Sequence, residues 1–250
     1  MRRVEKKSDI EVAREWDQVA HIRTAQIESG RDVSFHHVLL PLINELSADT
    51  NLEVVLDVGC GAGFITGHFG SRSGHVVGVD LSAENIKLAR LRLAQFKNVG
   101  LVNSSVQDLA AKEEPSSFTL AIANMTLMTA VSLDSLMAAV ARILGPNAYF
   151  IFTLTHPWFW PVYWGYSNEP WFKYEEEIFI EAPFKTSTET LNSITTHVHR
   201  PMSRYVNALN SAGFSLIAMA EPIPNAAVQR LYPEPWQFPR FLAVKARKST

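Results

Sequence analysis

From residue 53 to residue 155 the sequence alternates short apolar runs with stretches of helical periodicity, and this alternation narrows the fold more than any other feature. The runs at 54–58, 76–79, 101–103, 120–123 and 148–154 are dominated by Val, Ile, Leu, Ala and Phe, without a regular apolar–polar alternation. Strands of that kind are buried on both faces, as in a parallel sheet covered by helices. Between them, helices are predicted to begin near Phe64, after Ser82 and after Ser132. The last of these carries Leu136, Met137, Val140 and Ile143 on one face and stops at Gly145-Pro146. The expected fold is α/β, a Rossmann-like doubly wound sheet.

The flanks read differently. Val12, Trp16, Val19, Ala20 and Ile27 lie close to helical spacing, with Gly30 as a C-terminal cap. A second helix is predicted after Ser34, capped by its hydroxyl and begun or kinked at Pro41. After Leu154 the alternation breaks. Residues 156–200 hold Trp158, Trp160, Trp164 and Trp171 and an expected antiparallel pair, YEEEIFIEA with TLNSITTHV. Helix resumes at MSRYVNALNSAGF and ends at Gly213, and FSLIAMA and FLAVKAR read as strands. The expectation is a single domain over 1–250, with 1–50 as an N-terminal helical cover and 156–200 as a β-rich aromatic insertion after the fifth strand.

Composition removes several function classes. Of 250 residues 47% are hydrophobic, enough to build a core without metal or disulfide staples. Lys and Arg total 23 against 25 Asp and Glu, a net charge of -2 that gives no pull towards phosphate backbones. The single cysteine, Cys60, excludes an internal disulfide and a cysteine zinc site. MRRVEKKSDI is basic but precedes EVAREWDQVA rather than an apolar run, so no secretory leader is expected. No run approaches the roughly 18 to 20 apolar residues of a membrane span. A cytoplasmic protein without nucleic-acid or membrane partners is expected.

The segment VLDVGCGAGFIT points to a ligand. A strand ends at Asp57-Val58, then Gly59, Gly61 and Gly63 alternate before a helix, where a ligand can approach bare backbone. The next strand, VVGVD, ends at Asp80, an acid able to accept both hydroxyls of a ribose. A dinucleotide loop wants G-x-G-x-x-G, but Phe64 occupies its third glycine position. The Asp57 carboxylate would also oppose a pyrophosphate, and it suits an ammonium or a sulfonium instead. A nicotinamide dehydrogenase is therefore disfavoured.

VLDVGCGAG together with Asp80 resembles the first two motifs of class I S-adenosylmethionine-dependent methyltransferases of the small-molecule type, over about residues 52–155. The resemblance implies a seven-stranded, mostly parallel sheet with the last strand antiparallel. It implies that Asp57, Gly59, Gly61 and Gly63 line the methionine and ribose of S-adenosylmethionine, with Cys60 an inert thiol packed within the loop. Asp80 would hold the ribose hydroxyls and Leu81 would lie near the adenine. Many members carry an acid after the third strand; SSVQDL puts Ser105 and Val106 there, with Asp108 the alternative contact. Phe118-Thr119 stands where Phe-Asp is usual, and Asn124 and Met125 mark the edge of the cofactor pocket.

The implied activity is in-line transfer of a methyl group from S-adenosylmethionine to a small, partly apolar acceptor, leaving S-adenosylhomocysteine. An RNA or protein methyltransferase and a non-catalytic S-adenosylmethionine-binding regulator are the alternatives. ANMTLM lacks an Asn-Pro-Pro-Tyr-type motif, which disfavours amino-directed nucleic-acid chemistry. Trp158, Trp160 and Trp164 are expected to wall the acceptor site, against the competing reading of a local mini-core or dimer contact. Removal of a proton from the acceptor falls to a histidine, His199 first and His156 second. THVHRP followed by MSRYVNALNSAGF is also similar to a stretch of many small-molecule methyltransferases. His197 and His199 share a strand face but lack a carboxylate partner, so no metal is expected. A homodimer is entertained, and Trp16 is expected to pack in the core while helping to cover the site.

Overall fold

The computed structural model describes residues 1–186 and 190–249. A short strand, β1 (Arg2–Val4), leads into α1 (Asp9–Glu28), a π-helical turn (Phe35–Leu39) and α2 (Leu40–Ser47). The alternating region follows as β2 (Val54–Val58), α3 (Phe64–Gly70), β3 (His75–Asp80), α4 (Ala83–Arg92), β4 (Val99–Asn103) and α5 (Val106–Lys112). It continues through β5 (Phe118–Asn124), α6 (Leu133–Ile143) and β6 (Leu144–Thr155). Beyond it come α7 (Trp160–Trp164), β7 (Ile178–Lys185), β8 (Thr190–His199), α8 (Met202–Ser211), β9 (Phe214–Ala220), α9 (Ala226–Gln229) and β10 (Phe241–Lys248).

Seven strands form one sheet in the order β4-β3-β2-β5-β6-β10-β9. Strands β4 to β6 pair in parallel, and β10 runs antiparallel to both β6 and β9. This is the doubly wound, mostly parallel sheet expected from the sequence. Adjacent residues of β2 serve opposite faces: Val55 packs with Ile27, Ile43, Phe69 and Ile151, while Leu56 packs with α5, α6 and α8. Both are fully buried, which is why the strand shows no alternation. Among the described residues no helix is long and apolar enough to cross a membrane.

Local chemistry explains where the elements differ from the sequence reading. Helix α5 was not expected, because VQDLAAK is too short to display periodicity. Its signal is Ser105, whose hydroxyl accepts from the Asp108 N–H at 3.0 Å. The helix predicted after Ser34 opens as a π-turn instead, with Leu40 N–H reaching Phe35 O. Pro41, at the start of α2, has no N–H to close a regular turn there. Ser34 is not the cap. Asp32 accepts from Phe35 N–H at 2.9 Å, and the Ser34 hydroxyl lies 3.1 Å from that of Tyr232.

The N-terminal residues also contribute a strand. β1 pairs antiparallel with β7, and β7 with β8, giving a second, three-stranded sheet. Strand β8 links this sheet to the large one. Thr196 N–H donates to Glu15 of α1 (2.7 Å), and Val198 N–H donates to Met128 O in the loop after β5 (2.7 Å). Arg200, 1% exposed, donates to Leu127 O (3.0 Å) and Ala130 O (2.6 Å) while its Nε pairs with Glu177. A buried guanidinium with all these partners fixes the loop after β5 against the second sheet.

Arg200→Met therefore leaves two carbonyls and one carboxylate unpaired, and is expected to cost about 3 kcal/mol. Thermal denaturation should show Tm falling by roughly 6 to 12 °C. A fall within 1 °C of zero would show that the loop is held by other contacts.

Candidate functional site

At the C-terminal end of β2 the chain reverses into α3 through Gly59, Gly61 and Gly63, all with left-handed φ (68°, 53° and 81°). At Gly59 an added Cβ would stand 2.4 Å from the Thr126 side chain, so only glycine admits that neighbour. Gly61 is the reverse case: nothing lies within 4 Å of where its Cβ would be. That bare backbone faces a cavity of about 210 Å³ beyond the strand ends, where ligands of open α/β sheets bind. The turn is pinned to β3 by Gly59 and Cys60 N–H donating to Val79 O (2.8 and 3.0 Å).

Asp80, at the end of β3, faces the turn. Its carboxylate accepts from Gly61 N–H through one oxygen and from Ser82 N–H through the other, both at 2.8 Å. The Asn85 side chain is a third hydrogen-bonding partner of this carboxylate, which has about four lone-pair sites in all. Burial pushes its carboxyl upward against those amide bonds. Asp57 is deeper, 1% exposed, and accepts from the Thr66 hydroxyl at 2.6 Å. Burial first, with the Asp80 charge adding to it, pushes Asp57 up to about 7. Two desolvated carboxylates beside a bare turn form a site that gains from a cation.

Helix α1 closes the cavity from above, presenting Asp9, Val12, Trp16, Arg23 and Thr24. It is held down at several points. Asp17 accepts from the Ser82 hydroxyl (2.6 Å) and Glu84 N–H (3.1 Å) at the start of α4. Lys7 pairs with Glu15 and Glu181, and Arg92 pairs with Glu28 while stacking on Phe64 at 3.7 Å. The Thr24 hydroxyl is buried at the cavity wall without a hydrogen-bond partner among the described residues. An orphaned hydroxyl is costly unless a ligand completes it.

The structure brings the cofactor-side residues together. Asp57, Gly59, Cys60, Gly61, Asp80, Leu81, Ser105, Val106, Asn124 and Met125 all line this cavity, whereas Gly63 serves as the N-cap of α3 beside it. Cys60 is buried and burial raises its thiol, in keeping with a packed role. Ser105 hydrogen-bonds Asp108 (2.8 Å), and Asp108 is not in the lining. Trp16 lines the cavity as well as packing. The sequence reading missed Thr24, Arg23, Phe35 and Gln107. Thr24 and Arg23 sit on a helix read only for its apolar stripe.

The expected catalytic and acceptor residues are not brought to the cavity. His156 accepts Trp158 and Phe159 N–H at Nδ1 (3.2 and 3.3 Å) and so carries its proton on Nε2, facing Glu221 at 2.6 Å. It caps the turn into α7. His199, 2% exposed, donates from Nε2 to Tyr174 O (3.0 Å) and is ringed by Tyr166, Phe172 and Tyr174. Burial lowers its basicity and drives that of His197 down to about 3. Of the tryptophans, Trp158 is 56% exposed, while Trp160 and Trp164 pack with Val38, Tyr166, Tyr232 and Trp236 in a second core. The strand-edge argument located the segment, but its rings pack on one another and on residues 228–241.

A family model described as "Methyltransferase domain" matches residues 49–194, more than half of the chain. The ubiquinone biosynthesis O-methyltransferase of Hahella chejuensis is 33% identical over 100 residues, covering 40% of this chain and 42% of that protein. The chain thus spans less than half the length of that curated relative. Among solved structures, the 1,6-didemethyltoxoflavin-N1-methyltransferase of Burkholderia thailandensis, holding 1,6-didemethyltoxoflavin and S-adenosylhomocysteine, superposes with TM-score 0.62. It has 18% identity, with 99% of this chain and 93% of that one covered. The 4+2 cyclase SpnF superposes with TM-score 0.68 and 14% identity, covering 99% of this chain and 98% of its own.

The raised Asp57 has a consequence for stability. The folded protein holds a proton that the unfolded chain releases near 3.8, so stability falls as pH rises from there to about 7. Asp57→Asn removes that loss and should raise stability at pH 8 by a few kcal/mol, flattening the profile. Urea denaturation of both proteins between pH 5 and pH 8 checks this. Parallel profiles would contradict it.

Proposed function

The chain belongs to the methyltransferase-domain family, and on that premise we propose that it transfers a methyl group from S-adenosylmethionine to a small molecule. The observation that carries this reading is the bare turn at Gly61, open to a cavity and flanked by the Asp57 and Asp80 carboxylates. The residues present fit the cofactor. Asp80 takes the ribose hydroxyls, and Leu81 and Val106 flank the adenine, with Gln107 at its edge. Asp57 meets the ammonium of the methionine part, and the unpaired Thr24 hydroxyl meets its carboxylate.

When bound, the cofactor supplies a methyl group made electrophilic by the sulfonium. What the chain adds is alignment and exclusion of water, the first of which removes much of the entropy from a bimolecular step. Helix α1 provides the cover, through Val12 and Trp16. Among the described residues no histidine lines the cavity, so His199 and His156 are read here as supports of the second core. A small-molecule acceptor is supported by the near-neutral charge, by the ubiquinone biosynthesis role in the Hahella protein's name and by the 1,6-didemethyltoxoflavin held by the Burkholderia protein.

Calorimetry with S-adenosylhomocysteine tests the site. The wild-type protein should bind it, and Asp80→Ala should weaken binding by at least about a hundredfold through loss of two charge-assisted hydrogen bonds. Gly61→Ala meets no protein atom but is strained at φ 53°, so it should lower Tm as well as bind far more weakly. Absence of wild-type binding at millimolar ligand would overturn the reading. A cofactor-release assay over a panel of small metabolites then separates turnover from mere binding.

A further inference from the structure

The cavity extends past the part that the turn at Gly61 and the Asp80 carboxylate serve. In the large sheet β3 lies on one side of β2 and β5 on the other. Gly61, Asp80 and Val106 follow β2, β3 and β4, so a ligand seated on them lies over that half of the sheet. Thr129, Ala130, Val131 and Ser132 follow β5 and wall the other half. Opposite them stand Asp9, Val12, Ala13 and Trp16, the i, i+3, i+4 and i+7 positions of one face of α1. The two walls meet, because Val12, Trp16 and Val131 pack in one cluster with Phe179 and Val198 of the second sheet.

The polar atoms at this end share a character. The Thr129 hydroxyl gives its proton to Thr126 O (2.9 Å), and the Ser132 hydroxyl gives its own to that of Ser135 (2.8 Å). Both oxygens are left as acceptors. The half-buried Asp9 carboxylate makes no hydrogen bond or ion pair among the described residues. The amides at the start of α1 are served by the capping box of Ser8 and Glu11, so Asp9 is not engaged there. Lys7 is taken by Glu15 and Glu181.

Among the described residues lining the cavity the one cation is Arg23, which pairs with Asp32 roughly 20 Å further along α1. The one side-chain donor on either wall is the neutral indole N–H of Trp16. What remains is apolar surface, two acceptor oxygens and an unpaired negative charge. An occupant carrying N–H donors and a positive charge completes such a site, and the Trp16 ring face favours a cation as well. An anionic occupant would meet the Asp9 charge with no cation to offset it.

We infer that this end of the cavity is the acceptor compartment and that the acceptor is an apolar amine, its ammonium on Asp9 and its hydrocarbon part between Val12, Trp16 and Val131. The role as acceptor rests on the proposed cofactor site, though the binding of an amine does not. A protonated nitrogen has no lone pair, so the atom that takes the methyl group is another atom of the same molecule. Asp9 anchors one end of the acceptor and thereby fixes which atom reaches the cofactor half of the cavity. The acceptor walls are then α1 and the loop after β5, while Trp160 and Trp164 support the second core.

The test is calorimetry with 2-phenylethylamine, tryptamine and octylamine, each beside the alcohol of the same skeleton, with and without S-adenosylhomocysteine. At least one amine should bind the wild-type protein in the presence of S-adenosylhomocysteine, and its alcohol at least about tenfold more weakly. Asp9→Asn keeps the shape and removes the charge. It should weaken that amine by about tenfold or more yet bind S-adenosylhomocysteine as the wild type does, which shows that it is folded. No amine binding up to about 10 mM, equal binding of amine and alcohol, or equal binding by wild type and Asp9→Asn would each overturn the inference. So would an amine displaced by S-adenosylhomocysteine, since that amine sits on Asp57 or Asp80. A wild-type protein that binds an amine through Asp9 but no S-adenosylhomocysteine would instead strike the cofactor reading alone.

Discussion

The reversal from β2 into α3 needs a residue without a side chain where it meets the loop after β5, because Thr126 occupies the space a Cβ would take at Gly59. This close approach sets the rest of the site. It brings the ends of β2 and β5 together, and the Thr126 hydroxyl secures the junction by donating to Val58 O at 3.0 Å. With the turn held against β3 as well, Gly61 is left facing outward, and its N–H reaches Asp80. Three strand ends thereby converge on one open patch of backbone. A larger residue at Gly59 would separate β5 from β2 before it touched any ligand.

Around that junction the chain fixes its cover by carboxylate hydrogen bonds and ion pairs in addition to apolar packing. Helix α1 has a capping box at Ser8 and Glu11 and an apolar stripe, but its position over the cavity is set by Asp17 on α4, Glu15 on β8 and Arg92 on Glu28. The one ion pair among them, Arg92 with Glu28, contributes little by itself. The value of these contacts is geometric, since they hold α1 at the height of a ligand. Strand β8 does the corresponding work from the other side. Through Thr196 it holds α1, and through Val198, with Arg200 just beyond its end, it holds the loop that carries Ala130 and Val131 into the cavity wall.

Legibility followed physical range. Elements fixed by local pattern, the continuous apolar strands and the glycine turn with Asp80, were readable because strand burial and backbone freedom leave a direct imprint on residue choice. Helix α5 was not, since seven residues cannot show a period and its imprint is one serine. The strand at Arg2–Val4 escaped notice because its partner, β7, lies far along the chain. The surroundings of the histidines were illegible for the same reason. His156 and His199 stand near strand ends, but their partners, Glu221 and Tyr174, are set by tertiary packing that no spacing reveals. The packing partners of the aromatic segment lie in residues 228–241, which carry Tyr232, Trp236 and Arg240, too far along the chain to leave a local pattern.

The fold by itself leaves the chemistry open, as the similarity to a cyclase shows. The account stands on the site: a bare turn, two raised carboxylates and a cavity under α1. A crystal structure of the protein with S-adenosylhomocysteine tests it most directly. The ribose hydroxyls should lie within hydrogen-bond distance of the Asp80 carboxylate, with the amino-acid part over Gly59 and Gly61 beneath α1. A ligand bound elsewhere, or seated there without touching Asp80, would contradict it.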